Sequence, residues 1–201
     1  MRYMRKSIPV LLFLLLLVPA CAFGAADNAD WKKLYIDYIS ENPPTDSDMS
    51  SYALIDIDDN DVPELWISFG FGFEGDALCT VAAGKLDVLR FSQGGLSYIK
   101  RGNLFAINGG RMDDYYDDVY RIQNGKFEQL HKGSYGAENN ANVQYDAAGE
   151  PIYQYFWEGK EVSKNEYDSA LKSVYDYSKA DSPVDNSCAA SEIVSKIRVY
   201  R

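Results

Sequence analysis

Five oxygen-bearing positions in one short stretch could together hold a hard cation. Within Tyr52-Ala-Leu-Ile-Asp-Ile-Asp-Asp-Asn-Asp-Val-Pro-Glu-Leu-Trp66, the side chains of Asp56, Asp58, Asn60 and Glu64 are spaced two, two and four residues apart. That is the ligand rhythm of a calcium loop, in which alternate residues turn inward and spacers turn out. Counting Asp56 as position one, Asp58 is three, Asn60 is five, Val62 offers its carbonyl at seven and Glu64 stands at nine. Position six, where a sharp turn requires positive φ, is Asp61, one of the few side chains that tolerate it. Position twelve, the usual bidentate Glu, is Ile67, so Glu74, Asp76, Asp59 or water must complete the shell. Leu54 to Ile57 alternates as a strand does, and Pro63 suits a strand entry, so a fixed structural calcium is expected here and a helix-opening sensor is not. The competing reading is an acidic surface turn whose Asp and Asn side chains satisfy their own backbone without metal.

Other chemistry is sparse. The single histidine, His131, sits at a strand end after a hairpin and has no nucleophile at a motif spacing. Three separated cysteines offer no zinc spacing, and neither a P-loop nor a dinucleotide glycine pattern occurs. Asp113, Asp114, Asp117 and Asp118 surround Tyr115-Tyr116, and two of them facing a sugar as acid and base would make a glycan-directed hydrolase. Aromatics point to a different class: Tyr153, Tyr155 and Trp157 alternate on one strand, with Tyr115, Tyr116 and Tyr120 near a neighbouring hairpin. Exposed together they would stack on a glycan or anchor a peptide; buried, they form the side of a sheet covered by the helix that carries Tyr167 and Leu171.

The stretch from Tyr52 to Leu65 resembles the Leu-Ile-Asp-Ile-Asp-Gly-Asp-Gly-Ile-Pro-Glu-Leu signature of uncharacterised secreted proteins and lipoproteins of Gram-positive gut anaerobes. In that signature the carboxylates matching Asp56, Asp58 and Glu64 are the presumed calcium ligands, Asn60 replaces an Asp, and Asp59 and Asp61 stand where it has glycine. Val162-Ser-Lys-Asn-Glu-Tyr167 is similar to a second element of such proteins. The resemblance implies calcium and an exported location, and it carries no activity.

The elements that position these residues follow from periodicity. Asp27, with Asp30 three residues on, caps a helix in which Trp31, Leu34, Tyr35, Tyr38 and Ile39 recur on one side until Pro43-Pro44 stops it. Strands are expected at Tyr52 to Ile57 and Leu65 to Gly70, on either side of the acidic loop. Gly84-Lys85, Asn124-Gly125 and Gly159-Lys160 are hairpin turns between alternating runs, Ala148-Gly149 is another, and Gly102-Asn103 and Asn108-Gly109-Gly110 punctuate the run around Leu104 to Ile107. Ser163-Lys-Asn-Glu166 is a capping box for a helix burying Tyr167, Leu171 and Val174, and a short helix is expected near Cys188 to Ile197 after a loop at 179–186. The class is α+β: an antiparallel meander of about six to eight strands, covered by an N-terminal helix and one or two C-terminal helices.

Residues 1–26 read as an export signal. Arg2, Arg5 and Lys6 precede the apolar run Ile8 to Ala20, which is short for a membrane span. Val18-Pro19-Ala20-Cys21 resembles a lipobox that would acylate Cys21; cleavage after Ala22 or Ala26 would instead release the chain. Residues 27–201 then form one domain. A formal charge of −10 offers no basic stripe for nucleic acid or anionic lipid, so the membrane is reached only through a lipid on Cys21. Cys79 and Cys188 remain either as a disulfide or as two buried thiols. The expected protein is an exported, lipid-anchored or secreted, calcium-stabilised binding or envelope-associated module rather than an enzyme. Glycan-directed hydrolysis and a purely structural surface role are the alternatives.

Overall fold

The computed structural model of the chain describes residues 30–92 and 94–201. The export signal, the lipobox at Cys21 and the Asp27 cap lie outside the described residues.

The first helix, α1 (Asp30–Glu41), ends just before the two prolines. Four strands follow: β1 (Ser51–Ile55), β2 (Glu64–Ser68), β3 (Asp76–Ala82) and β4 (Lys85–Phe91). They pair in chain order as an antiparallel meander. Six more, β5 (Gly94–Ile99), β6 (Leu104–Arg111), β7 (Asp114–Gln123), β8 (Lys126–Gly136), β9 (Gln154–Trp157) and β10 (Lys160–Val162), form a second one. Two helices, α2 (Lys164–Val174) and α3 (Ala190–Val199), close the chain. The α+β class, the N-terminal helix, the six-stranded antiparallel sheet and the two C-terminal helices match expectation. The meander, however, is divided between two sheets, with ten strands among the described residues.

Burial explains the division. Leu65, Trp66 and Ile67 of β2 and Ala77 to Val81 of β3 are buried without alternation, so these strands carry apolar side chains on both faces. Tyr52, Ile67, Cys79 and Val81 pack against Trp31 and Tyr35 of α1 and against Ile193 and Ile197 of α3. On the other face Ile55, Trp66 and Leu78 meet Leu96, Tyr98, Phe105 and Ile107 of the second sheet. The far side of that sheet presents Ala106 and Val119 to Leu171, Val174 and Tyr175 at the end of α2. The layers therefore run helices, sheet, sheet, helix.

Local chemistry sets the connections. Ala83-Gly84, Asn124-Gly125 and Glu158-Gly159 all adopt positive φ at both turn positions, the geometry whose twist suits a two-residue hairpin. The β6–β7 turn uses Met112-Asp113 at φ 52° and 61°. Asn108-Gly109-Gly110, expected to break the chain, lies inside β6 instead. The capping box forms as expected: the Glu166 N–H donates to Ser163 Oγ, and the Ser163 N–H donates to Glu166 Oε2.

The segment from Ala180 to Ala189 does more than connect helices. Asp181 exchanges backbone hydrogen bonds with Tyr98 on the edge of β5, at 2.9 and 3.0 Å, and Cys188 does the same with Tyr52 on the edge of β1, at 2.8 and 2.9 Å. One strap thus covers an open edge of each sheet and ties the sheets together. It also separates the two cysteines: between Cys188 and Cys79 lie β1, β2 and the step to β3. Three strand spacings amount to roughly 14 Å, beyond the reach of a disulfide. Both thiols are free, and burial pushes that of Cys79 up to about 12.

Because α3 caps the first sheet through side chains with no exposed surface, Ile193→Ala is expected to cost about 2 to 5 kcal/mol. Val199→Ala, on the exposed side of the same helix, should stay within about 0.5 kcal/mol. Urea unfolding of the two variants compares them directly; equal midpoints would show that α3 does not cover this sheet in solution.

Candidate functional site

The acidic stretch is the loop between β1 and β2, closed by the last strand pair, Ile55 with Glu64. Its turns are made by its own side chains. Asp58 Oδ1 accepts the Asn60 N–H at 3.2 Å, Asp58 Oδ2 accepts from Asn60 Nδ2 at 3.0 Å, and Asn60 Oδ1 accepts the Val62 N–H at 2.8 Å. Asp61 takes φ 61°, as its place in the ligand rhythm requires. Glu64 is different in kind, because its carboxylate has no exposed surface. Oε2 accepts the Ile57 N–H at 2.9 Å and Oε1 accepts the Thr80 hydroxyl at 3.1 Å. Burial, followed by the negative charge of Asp58, pushes this carboxyl up to about 8. Asp58 itself is raised by burial, against the lowering effect of the Asn60 N–H.

The fold brings some of the expected ligands together and diverts others. Asp58 holds Asn60 through two hydrogen bonds, and its charge acts on the buried Glu64. Asp56 turns toward the C-terminus, where its Oδ1 accepts the Tyr200 hydroxyl at 2.7 Å. Val62 is engaged through its N–H, which leaves its carbonyl as the group to consider as a ligand. Among the described residues no three His, Cys, Asp or Glu side chains are gathered into a group that could hold a metal ion. Glu74 and Asp76 cannot complete the shell. Asp76 pairs with Ser68, four residues along β2 from Glu64, and at roughly 3.3 Å per residue that is about 13 Å away.

A residue that spacing did not reveal organises the outer side. The β5–β6 turn places Arg101, at φ 54°, against the loop. Its Nη1 donates to Asp59 Oδ1 at 2.8 Å and its Nη2 to Asp61 Oδ1 at 3.1 Å. Two backbone bonds fasten the same contact, Arg101 N–H to the Asp56 carbonyl at 2.9 Å and Asn103 N–H to the Ile57 carbonyl at 2.7 Å. The two outward aspartates thus share one guanidinium from the other sheet. The inward carboxylates of Asp58 and Glu64 receive only neutral donors. No local signal links Arg101 to a loop forty positions earlier.

The aromatic residues form a second assembly, on the α2 side of the six-stranded sheet. Tyr115, Tyr135 and Tyr155 stand in one cross-strand row. Their rings stack with centroids 5.1 and 5.4 Å apart. Tyr167 of α2 meets Tyr135, Tyr155 and Trp157 edge-on. It can do so because Gly133 lies beneath it: a Cβ there would fall 2.5 Å from the Tyr167 hydroxyl. His131 stacks on Trp157 and contacts Glu158. Tyr116 and Tyr120 face the opposite way, into the layer between the sheets. The six aromatics therefore do not make one platform, and much of the ring surface of the Tyr115, Tyr135 and Tyr155 row is used by neighbours.

The aspartate cluster is divided in the same manner. Asp117 and Asp118 are consecutive in β7 and so point to opposite faces. Asp117 is buried and accepts the Tyr167 hydroxyl at 2.7 Å and the Tyr177 hydroxyl at 3.4 Å. Asp118 lies on the inter-sheet side, with Oδ2 3.4 Å from the Tyr120 hydroxyl and Oδ1 buried without a partner. Asp113, in the β6–β7 turn, accepts the Tyr153 hydroxyl at 2.6 Å. These two neighbours form no acid–base pair. Each of Asp113, Asp117 and Asp118 is tied to a tyrosine.

Compared with family models, curated proteins and solved structures, the chain finds no match in any of the three.

Burial holds the Asp117 carboxyl above its ordinary 3.8, against the lowering effect of the two tyrosine hydroxyls. A carboxyl raised in the folded state holds its proton more tightly there than in the unfolded chain. Its contribution to stability is therefore full below 3.8 and lost as pH rises through the folded value. Asp117→Asn is expected to flatten the fall in stability from about pH 4 upward while keeping an acceptor for Tyr167. Melting curves of both proteins across that range test it; parallel profiles would remove Asp117 as a titrating contributor.

Proposed function

We propose that this chain is an exported, lipid-anchored binding module of the cell envelope, in which the β1–β2 loop holds calcium as a fixed structural ion. Glu64 carries the reading. A carboxylate without exposed surface, beside the half-buried Asp58, is costly to keep charged unless a cation or strong donors compensate it. Among the described residues, the Arg101 guanidinium that reaches the loop is spent on Asp59 and Asp61.

The donor set is all oxygen, which suits a hard cation. Asp58, the Asn60 side-chain oxygen, the Val62 carbonyl and Glu64 would hold the ion, with Asp56 joining them by giving up Tyr200. Calcium there supplies positive charge to buried carboxylates and no reaction. Because strands flank the loop and a β5–β6 turn is bonded to it, occupancy would stiffen the junction of the two sheets without opening a groove.

Support for the anchor comes from the residues before the domain and from where the domain begins. The basic residues Arg2, Arg5 and Lys6, the apolar run to Ala20 and the lipobox-like Cys21 precede α1. At the start of α1, Trp31 packs edge-on against Tyr200 at 5.8 Å, and the Tyr200 hydroxyl reaches Asp56. A tether would thus enter at the end of the domain that carries the loop. The resemblance of Tyr52 to Leu65 to the loop of secreted proteins and lipoproteins of gut anaerobes agrees with both parts of the proposal.

Calorimetry of the processed protein in chelator and then in about a millimolar of calcium should show a higher melting temperature with the ion; binding at a hundred times the dissociation constant adds about 2.7 kcal/mol. Glu64→Gln should abolish the increment, and an unchanged wild-type melting point would overturn the calcium reading. For the anchor, mass spectrometry of the mature N-terminus is expected to find a diacylated or triacylated Cys21. A chain starting at Phe23 or Asp27 would refute it.

A further inference from the structure

The end of the domain opposite the acidic loop carries an apolar tip with no internal use. Between β2 and β3 the chain runs Phe69-Gly-Phe-Gly-Phe-Glu-Gly75. Gly70 and Gly75 take φ 89° and 71°, values that a bulkier residue would resist. The turn is closed by its own backbone: the Phe69 N–H donates to the Gly75 carbonyl at 3.2 Å, and the Glu74 N–H to the Phe71 carbonyl at 2.9 Å. On this built turn the rings of Phe71 and Phe73 stack at 5.4 Å, and Phe73 is 78% exposed. Met49, 52% exposed, continues the patch, since its Cβ would lie 2.7 Å from a Cβ placed on Gly70. Scattered exposed apolar residues are ordinary, but Phe73 stacked on the half-buried Phe71 of a fixed turn, with Met49 beside that turn, leaves apolar area that folding does not use.

Charge selects what covers it. Beside the tip lies a cleft of about 290 Å³ whose lining includes Glu41, Glu74, Phe69 and Arg90. Arg90 is already engaged, with its guanidinium 4.7 Å from the Phe69 ring centroid and Nη2 donating to Asn42. Asp46 and Asp48 precede Met49 in sequence, and the Thr45 N–H reaches Glu74 Oε2, which draws that acidic loop to the rim. Glu41 and Glu74 thus line the cleft beside the apolar tip against one occupied guanidinium, and the loop that reaches Glu74 carries Asp46 and Asp48. Anionic lipid would be repelled by such a rim. A second copy docked about a two-fold axis would set acid against acid.

We propose that the Phe71–Phe73 tip and the adjoining cleft form a docking surface for a cationic segment of a partner protein, one that presents a Lys or Arg next to an apolar side chain. The apolar residue packs on the stacked rings while the cation enters the cleft between Glu41 and Glu74. The tip and the start of α1 lie at opposite ends: α1 begins beside Tyr200 and ends at Glu41, next to the Asn42 that accepts from Arg90. The surface goes beyond the calcium reading and does not depend on the β1–β2 loop being occupied.

Isothermal titration of the processed protein with three synthetic peptides, alternating Lys–Leu, Glu–Leu and Lys–Ser, tests it. Lys–Leu should bind, and Glu–Leu and Lys–Ser should give no measurable heat. Phe73→Ser and Glu74→Lys should each weaken Lys–Leu binding about tenfold or more, as truncation of a central contact does. Unchanged melting curves for both variants would confirm that the effect is not loss of fold. The proposal is overturned by absence of Lys–Leu binding, by equal affinity of Phe73→Ser, or by equal binding of Lys–Ser, which would mark simple charge adsorption. Association instead with phosphatidylcholine–phosphatidylglycerol vesicles, or dimerisation lost in Phe73→Ser, would also overturn it in favour of a membrane or a second copy.

Discussion

The strands β2 and β3 bury side chains on both faces, and a sheet built around them must be covered twice. One cover is supplied by α1 and α3, the first and last helices of the domain, through Trp31, Tyr35, Ile193 and Ile197. The other is the six-stranded sheet, through Tyr98, Phe105 and Ile107. Helices that are distant in sequence are thereby drawn to one layer. The strap from Ala180 to Ala189 follows from the same constraint: it must cross from α2, on the far side of the second sheet, to α3, and on the way it pairs with the edge of each sheet.

Two-sided burial also accounts for the electrostatics of the acidic loop. Glu64 is the first residue of β2 and faces the layer between the sheets, where water has been displaced by Thr80 and the backbone of Ile57. Asp59, Asn60 and Asp61 in the loop remain exposed, while Asp58 is half-buried. The fold therefore sorts the acidic residues into two groups. Asp59 and Asp61 meet Arg101 across the sheet junction, whereas Asp58 and Glu64 are raised by burial and have only neutral donors. The second group is the one to which a cation would be attracted, and the first holds the loop in position for it.

The two ends of the domain differ in chemistry. At one end lie the start of α1, Tyr200, the acidic loop and Arg101; at the other lie the Phe71–Phe73 turn, Met49 and the β6–β7 turn with the exposed Met112. The tyrosine row of the second sheet belongs to neither end. It is largely a packing device for α2, made possible by Gly133 and tied down by Asp117. Exposed aromatic surface is found on the Phe71–Phe73 turn, a segment whose glycines make it look like an ordinary connection.

Much of this was legible along the chain because the signals are local. The helical spacing from Trp31 to Tyr38, the Ser163–Glu166 capping box, the paired turn residues at Gly84, Gly125 and Gly159, and the positive φ at Asp61 are each decided by a few consecutive residues, and each appears in the structure. Two local cues were open to misreading. The run Ala77 to Val81 of β3, read as alternating, is buried on both faces, and Asn108-Gly109-Gly110 imitated a turn inside a strand. What only the tertiary structure decided are relations between residues far apart in sequence: the division into two sheets, Arg101 against Asp59 and Asp61, Tyr200 on Asp56, and the burial of Glu64. Pairings of that kind depend on which faces find apolar cover, and the energy of that choice is summed over the whole core. A run of alternating residues can state that it needs a cover; it carries no record of which segment will provide it.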